Sequence, residues 1–374
     1  MGIKLAGVRE TVNILYTNFH FKAGGGHTTY ILSLLENPEH TAFVACAPQS
    51  RLYLTLQERG FERLIPIEFY AKVADFRQVL KNTRLLKQAI EKHDIDIVHT
   101  NGSPDNRMAL YVSWLSRRKF KIVFTKHNSR PVRGWLSRRR FRKANDAVIF
   151  VSEAAKRAAG FAEAEAKFHV VENGIDLNHW KRRTPAGDGR GVLRLVSTAG
   201  CARTKGWIHL AEAIASLPAA DRARFSSVVA GRIEKSQLEM QARARELSNM
   251  EFPGYCNDPR TLLEEGDIAF LLSYSEASSF AQREMMAMGL PIIVSDCPSL
   301  TSNVDAGCGW VTRRRDAESI AGVLLEILEL PEGKLGEMQA AARRKAEKNF
   351  DVTATIARTN EIYAGLATEL DRRP

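Results

Sequence analysis

Glu276-Ala-Ser-Ser-Phe-Ala-Gln-Arg-Glu284, followed by Met285-Met-Ala-Met-Gly289-Leu-Pro291-Ile-Ile-Val294, decides how this chain is read. Two carboxylates eight residues apart bracket a small-residue turn that opens a helix, and a short apolar strand follows. Ser279 with Gln282 three residues later has the form of a capping box, which predicts a helix starting near Phe280. The first turn of such a helix carries unpaired N–H groups and the positive end of the helix dipole, and both favour a bound anion. Ala277, Ser278 and Ser279 are small enough to let a phosphate approach the backbone. A carboxylate would repel that phosphate, so Glu276 and Glu284 are read as facing hydroxyl groups. The plainer alternative makes Glu276 an N-terminal helix charge and Glu284 a solvated residue.

Outward from that segment, short apolar runs alternate with amphipathic stretches, the pattern of a doubly wound α/β chain. Strands are predicted at Val12–Thr17, Thr41–Cys46, Arg63–Ile67, Asp96–His99, Lys121–Thr125, Ala147–Val151 and His169–Val171. Lys181 to Gly191, rich in Gly, Pro and charge, reads as a connector. A second series then runs Leu193–Ser197, Phe225–Ala230, Glu251–Pro253, Ile268–Leu272 and Pro291–Val294. Helices are predicted at Tyr30–Glu36, Phe76–Lys92 and Asp105–Arg117, and the tail reads as helical over Ala317–Leu330 and Gly333–Leu370. The economical architecture is two Rossmann-like domains, residues 1–180 and 181–351, facing each other across a cleft. The last helix, about 352–374, is expected to pack back on the first domain. Ligands in such folds bind at the carboxyl ends of the strands.

The 374 residues suit about two domains. The start, Met1 to Glu10, has no signal-peptide stretch, and no apolar run nears the ~18 residues needed to span a bilayer. Five scattered cysteines (Cys46, Cys201, Cys256, Cys297, Cys308) without a C-x-x-C pair point to free thiols in a reducing compartment. Together these predict a cytoplasmic protein. The net charge of +11 falls wholly in residues 1–180, with 28 basic against 17 acidic residues. Residues 107–143 hold 13 basic residues and no acid, among them Arg117, Arg118, Lys119, Arg138, Arg139, Arg140, Arg142 and Lys143, with Trp114 and Trp135 nearby. Such a patch attracts an anionic membrane, a phosphorylated glycolipid or nucleic acid. A generic solubilising face is the competing explanation.

Other candidates lie after predicted strands. Gly24-Gly25-Gly26 permits unusual backbone angles and close ligand approach, although a flexible turn explains it as well. Gly200-Cys-Ala-Arg203-Thr-Lys205-Gly206 would place Lys205, with Arg203, where it can neutralise a diphosphate leaving group. His127 and His99 end neighbouring strands, where a histidine can donate to sugar hydroxyls or move a proton. No H-E-x-x-H, carboxylate metal cluster or G-x-S-x-G motif occurs, so neither a metal nor another cofactor is expected.

In order along the chain, Gly24-Gly25-Gly26, Asp96-Ile-Val-His99, His127, Val151-Ser152-Glu153, Val171-Glu-Asn173-Gly174-Ile175-Asp176, Lys205-Gly206 and Glu276-x7-Glu284 resemble the retaining GT-B glycosyltransferases of family 4. The resemblance spans nearly the whole chain and implies a GT-B fold and a metal-independent enzyme using a nucleotide-sugar donor. It implies that His127, Glu276 and Lys205 are catalytic and that Gly25, Gly26, Arg203, Lys205, Tyr255, Ser278, Ser279, Phe280, Ala281 and Glu284 bind the donor. Glu284 would hold the ribose, Glu276 the donor sugar, and the Phe252–Asn257 loop the base. Two departures stand out: the family's Arg falls at Gly200, and its Gly-Phe-Gly is Ala277-Ser278-Ser279.

The resulting expectation is a peripheral enzyme on the inner face of the cytoplasmic membrane. It would transfer a sugar, with retention, from a nucleotide diphosphate sugar (UDP in the first instance) to a lipopolysaccharide or lipid-linked acceptor. The basic patch would meet the anionic membrane, and no nucleic acid is expected as a partner. The rivals are a glycosyltransferase with a soluble acceptor, a nucleotide-sugar epimerase of the same fold and a non-enzymatic nucleic-acid-binding protein.

Overall fold

A computed structural model of the chain describes residues 11–21, 25–37, 39–70, 76–161, 165–183, 191–232 and 235–371. The expectations for Met1 to Glu10, for Gly24, for 184–190 of the connector and for 372–374 therefore lie outside the described residues. The chain forms two compact units, one ending at Glu172 and resuming at Thr353, the other running from Asn173 to Val352.

The first unit is a seven-stranded parallel sheet: β1 (Val12–Asn18), β2 (His40–Cys46), β3 (Leu64–Pro66), β4 (Ile97–Thr100), β5 (Lys121–Lys126), β6 (Ala147–Phe150) and β7 (Phe168–Val170). Their order is β3-β2-β1-β4-β5-β6-β7. The second unit has six parallel strands: β8 (Leu193–Ser197), β9 (Phe225–Ala230), β10 (Glu251–Gly254), β11 (Ile268–Leu271), β12 (Ile292–Ser295) and β13 (Gly309–Thr312). Here the order is β10-β9-β8-β11-β12-β13. In each sheet the order reverses once, between β1 and β4 and between β8 and β11. Crevices open at the carboxyl ends of strands at such points.

The predicted strands form within a residue of their expected ends, and β13 is added at the edge. They form because helices cover both faces of each sheet, which demands continuous apolar runs. In β12, Ile293 joins Trp207, Leu210 and Phe252 on one side, while Ile292 and Val294 join Met285, Met288 and Leu300 on the other. All three of these β12 side chains are fully buried.

Residues 173–183 belong to the second unit because their contacts lie there. Ile175 N donates to Phe350 O (2.8 Å), Arg343 Nη1 to Trp180 O (2.6 Å) and Arg182 Nη2 to Glu264 O (2.6 Å). The tail read as helical over Gly333–Leu370, with a last helix from about 352, forms two helices, Lys334–Asn349 and Val352–Asp371. Phe350 causes the break: its ring is fully buried with the Arg283 guanidinium 5.1 Å from its centre, and its carbonyl bonds Ile175.

Beyond the break, the last helix packs on the first unit through polar side chains. Asn37 Nδ2 donates to Asn360 Oδ1 (2.6 Å), and buried Lys121 pairs with Glu369 and Asp146. Tyr363 OH meets His99 Nδ1, whose Nε2 meets Thr125 Oγ1. Both nitrogens of His99 are thus used inside the core, and its predicted place at a strand end is structural. Tyr363→Phe should cost about 1–3 kcal/mol, because it leaves a buried imidazole nitrogen unpaired. A loss below ~0.5 kcal/mol in denaturant unfolding would contradict this account of helix docking.

Candidate functional site

At the switch point of the second sheet, the loop after β8 and the loop after β11 bring opposite charges together. Arg203–Lys205 is a single 3-10 turn closed by Gly206 at φ 70°. A Cβ on Gly206 would lie 2.0 Å from Leu272 O, so only glycine lets this loop press against the end of β11. The result is an ion pair, Lys205 Nζ to Glu276 Oε1 at 2.6 Å, with Ser273 Oγ donating to the same oxygen at 2.9 Å. The Lys205 ammonium and the Glu276 carboxylate, expected to grip separate parts of a donor, are bonded to each other. Arg203 is exposed beside them.

The helix Phe280–Ala287 begins where expected, with Ser279 Oγ accepting from Gln282 N at 3.3 Å. The capping box is only half formed. The Gln282 amide is instead drawn into the core, donating to Leu300 O (2.9 Å) and accepting from Asn303 (3.2 Å). Ser278 Oγ is fixed by Asn173 Nδ2 (3.2 Å) and Arg283 Nη1 (2.9 Å), so the turn is held from below. Phe280 and Ala281 pack partly on the core. Glu284, one turn on, is half-buried and has no side-chain partner among the described residues; burial raises its pKa to about 7. Tyr255 is exposed after β10, whereas Phe252 is packed on Trp207 in the core and is not available to a base.

In the first unit, His127 follows β5, and its Nε2 lies 2.8 Å from Asn101 Oδ1. Its ring packs beside His27 (centroids 4.3 Å apart) and Tyr30 (4.7 Å). Burial, then the neighbouring imidazoles of His27, His99 and His20, hold its pKa well below the usual histidine range. His27 is pushed down to about 3, by burial first and then by His20. This is a neutral cluster at physiological pH. Gly25 and Gly26 do not form a loop with positive φ; they open the helix Gly25–Leu35, which starts earlier than predicted. Among the described residues, a Cβ on Gly25 would meet nothing within 4 Å.

The family described as Glycosyltransferase Family 4 matches residues 24–179, and that described as Glycosyl transferases group 1 matches residues 191–349. The chain is a GT-B-fold glycosyltransferase related to both families. No curated protein matches it by sequence. Among solved structures, a glycosyltransferase from Rickettsia africae ESF-5 is 18% identical with a TM-score of 0.80, over 96% of this chain and 99% of that one. Alr3699/HepE of Anabaena in complex with UDP-glucose is 19% identical (TM-score 0.78; 94% and 99%). The lipopolysaccharide outer core galactosyltransferase WaaB is 15% identical (TM-score 0.71; 95% and 99%).

The basic segment of this glycosyltransferase is less free than its sequence implies, because acids from elsewhere reach it. Arg118 pairs with Asp94 and Asp96 and donates to Ile95 O, while Arg142 pairs with Glu165. Arg138 donates to Gly160 O with its guanidinium 4.9 Å from the Phe161 ring centre, and Arg140 is half-buried near Arg107 and Tyr111. Arg117, Lys119, Arg139 and Lys143 remain exposed, alongside Trp114 (76% exposed), Trp135 (71%) and Leu136 (64%). Among the described residues, no helix is long and apolar enough to cross a membrane. No group of three or more His, Cys, Asp or Glu there could hold a metal ion.

Asn101, Asp105 and Ser273 went unrecognised in the sequence, and Asn173 and Arg283 entered only as members of motifs, since their roles depend on which loops meet. Glu284 yields a direct test. A carboxyl whose folded pKa lies near 7, against an ordinary 4.5, lowers stability progressively as pH rises between those values. Glu284→Gln should therefore raise the melting temperature at pH 8 by ~2–4 °C and give no gain near pH 4.5. An equal difference at both pH values would refute the buried-carboxyl account.

Proposed function

We propose that this glycosyltransferase binds a nucleotide diphosphate sugar, with UDP as its nucleotide, on the second unit. It then transfers the sugar, with retention of configuration, to a lipopolysaccharide or lipid-linked glycan at the inner membrane surface. The observation that carries this reading is the meeting of Lys205, Glu276 and the amide end of the helix Phe280–Ala287 at one switch point. The UDP-glucose complex of Alr3699/HepE supports UDP, and the outer core activity of WaaB supports the acceptor class.

In this mechanism the diphosphate takes Lys205 from Glu276 and accepts from the amides of Ser278 to Ala281. Glu276, released, accepts hydroxyl hydrogens of the donor sugar, and Glu284 those of the ribose. The acceptor hydroxyl attacks from the face the diphosphate leaves, passing its proton to the departing phosphate oxygen, which Lys205 and the helix amides stabilise. No protein nucleophile is required. Arg203 adds positive charge where Gly200 supplies none.

Lys205→Ala should weaken UDP binding by about 1–3 kcal/mol, while Glu276→Gln should spare UDP and abolish any preference for UDP-sugar over UDP. Calorimetry on the two variants separates these roles; equal losses for UDP in both would sink the assignment. A thermal-shift panel of nucleotide sugars tests the donor class, since a ligand at 100 times its Kd stabilises by about 2.7 kcal/mol. No shift with any nucleotide sugar would end the donor reading.

The membrane contact is assigned to Trp114, Trp135, Leu136, Arg117, Lys119, Arg139 and Lys143, where aromatic, apolar and free basic groups are exposed. Each free cation near an anionic surface contributes ~1 kcal/mol. Trp135→Ala with Arg139→Glu and Lys143→Glu should release the protein from phosphatidylglycerol vesicles with UDP affinity unchanged. Undiminished co-sedimentation would show that these residues do not make the membrane contact.

A further inference from the structure

We propose that His209 is a positioning residue for the donor site: through the Tyr274 hydroxyl it fixes the loop that carries Glu276, so that this carboxylate keeps its place when a ligand draws Lys205 away from it. The sugar-binding part of this statement rests on the donor reading above; the positioning of the loop does not.

Tyr274 stands two residues before Glu276, between β11 and the helix Phe280–Ala287, and four groups hold it. Its backbone N donates to Thr204 O at 2.8 Å, which joins it to the turn that carries Lys205. Its carbonyl accepts from Arg314 Nη1 at 3.4 Å. The Arg315 guanidinium lies 4.1 Å from the centre of its ring, and its hydroxyl lies 3.0 Å from His209 Nε2.

His209 sits in the first turn of the helix Trp207–Ser216, and its backbone N donates to Gly206 O at 3.0 Å. Glu212 Oε2 lies 3.0 Å from His209 Nδ1, and the other oxygen of Glu212 lies 3.4 Å from Arg243 Nη2. A carboxylate only accepts, so Nδ1 carries the hydrogen. In the neutral ring Nε2 then keeps its lone pair, and the Tyr274 hydroxyl donates to it. Glu212, His209 and Tyr274 form a chain with one direction.

Arg315 closes the other side of the ring. Its neighbours are paired, Arg313 Nε with Asp316 and Arg314 Nε with Asp296, both at 2.6 Å. Arg315 itself has φ 59°, a left-handed conformation that side chains seldom adopt. No carboxylate of the described residues pairs with it, and its guanidinium meets the face of Tyr274. Glu276 accepts from Lys205 and Ser273. A diphosphate that takes Lys205 leaves Ser273 Oγ as the partner of that carboxylate among the described residues. The backbone on either side then sets its place: Tyr274 in its clamp, and Glu276 O held by Ser299 Oγ at 2.8 Å. The clamp therefore bears on the sugar hydroxyls that Glu276 accepts from and not on the diphosphate.

The test uses the full-length protein with 15N-labelled histidine. Long-range 1H–15N spectra at pH 8 report the tautomer of each ring, with His209 assigned by its loss in His209→Phe. Wild type should show a protonated Nδ1 and an unprotonated Nε2 at His209. Without ligand, Tyr274→Phe should speed hydrogen–deuterium exchange at the 274–277 amides by about 10-fold. In calorimetry, Tyr274→Phe and His209→Phe should each lose about 10-fold in affinity for UDP-glucose with UDP unchanged. His209→Gln, whose Oε1 can accept from Tyr274, should retain most of that affinity. A wild-type His209 protonated at Nε2, alone or together with Nδ1, would overturn the proposal, and that spectrum decides even if the variants fail to fold. Unchanged exchange at 274–277, unchanged UDP-glucose affinity or equal losses for both ligands would each overturn it as well. If UDP itself does not bind, the donor reading fails, while the spectrum and the exchange still decide whether His209 positions the loop.

Discussion

Lys205 and Glu276 meet because β8 and β11 are adjacent parallel strands and the loop after β8 presses on the end of β11 at Gly206 and Leu272. Much of the second unit serves that meeting. Gly206 lets the first loop close on Leu272, Ser273 shares the carboxylate, and Ser299 Oγ holds Glu276 O at 2.8 Å. The pair is only half-buried, so it does not contribute much to stability by itself. Its value is positional: an ammonium and a carboxylate are kept within reach of one helix N-terminus, ready to take different parts of a ligand.

The two units use opposite chemistry at equivalent places. In the second, an ammonium and a carboxylate are paired close to the amide end of a helix, where the proposed function puts a diphosphate. In the first, His27, His127 and Asn101 gather at the ends of the strands beside the switch point between β1 and β4, with the two imidazoles kept neutral by burial and the Asp105 carboxyl beneath Asn101, its pKa raised by burial to about 7. That division follows from burial: the first unit's imidazoles are desolvated, whereas Lys205 keeps access to solvent and to its counter-ion.

The strand framework was legible because parallel strands covered on both faces must be continuous apolar runs. The missed strand, β13, lies at an edge with Val311 47% exposed and begins with Gly309, whose Cβ would sit 2.2 Å from Ile292 O. Four such residues carry no recognisable pattern. The start of the last helix near 352 was expected, but what fixes the break at Phe350 was not legible: neither Gly nor Pro marks it, and its contacts are with Ile175 and Arg283 far away in sequence. Of the candidate site, Glu276, Lys205 and Ser279 could be named because they carry charge or a cap. Their partners could not. The ion pair between Lys205 and Glu276, the diversion of Gln282 into the core and the acids that answer Arg118 and Arg142 are all settled by tertiary contacts.

The central claim is that a nucleotide diphosphate sits where Lys205, Glu276 and the helix beginning at Phe280 converge. Hydrogen–deuterium exchange of the full-length protein with and without saturating UDP tests it most directly. The account predicts slowed exchange at the amides of 203–206 and 278–282, with β12 unchanged because it is already protected. Bound UDP that leaves both segments at their ligand-free exchange rates would contradict it.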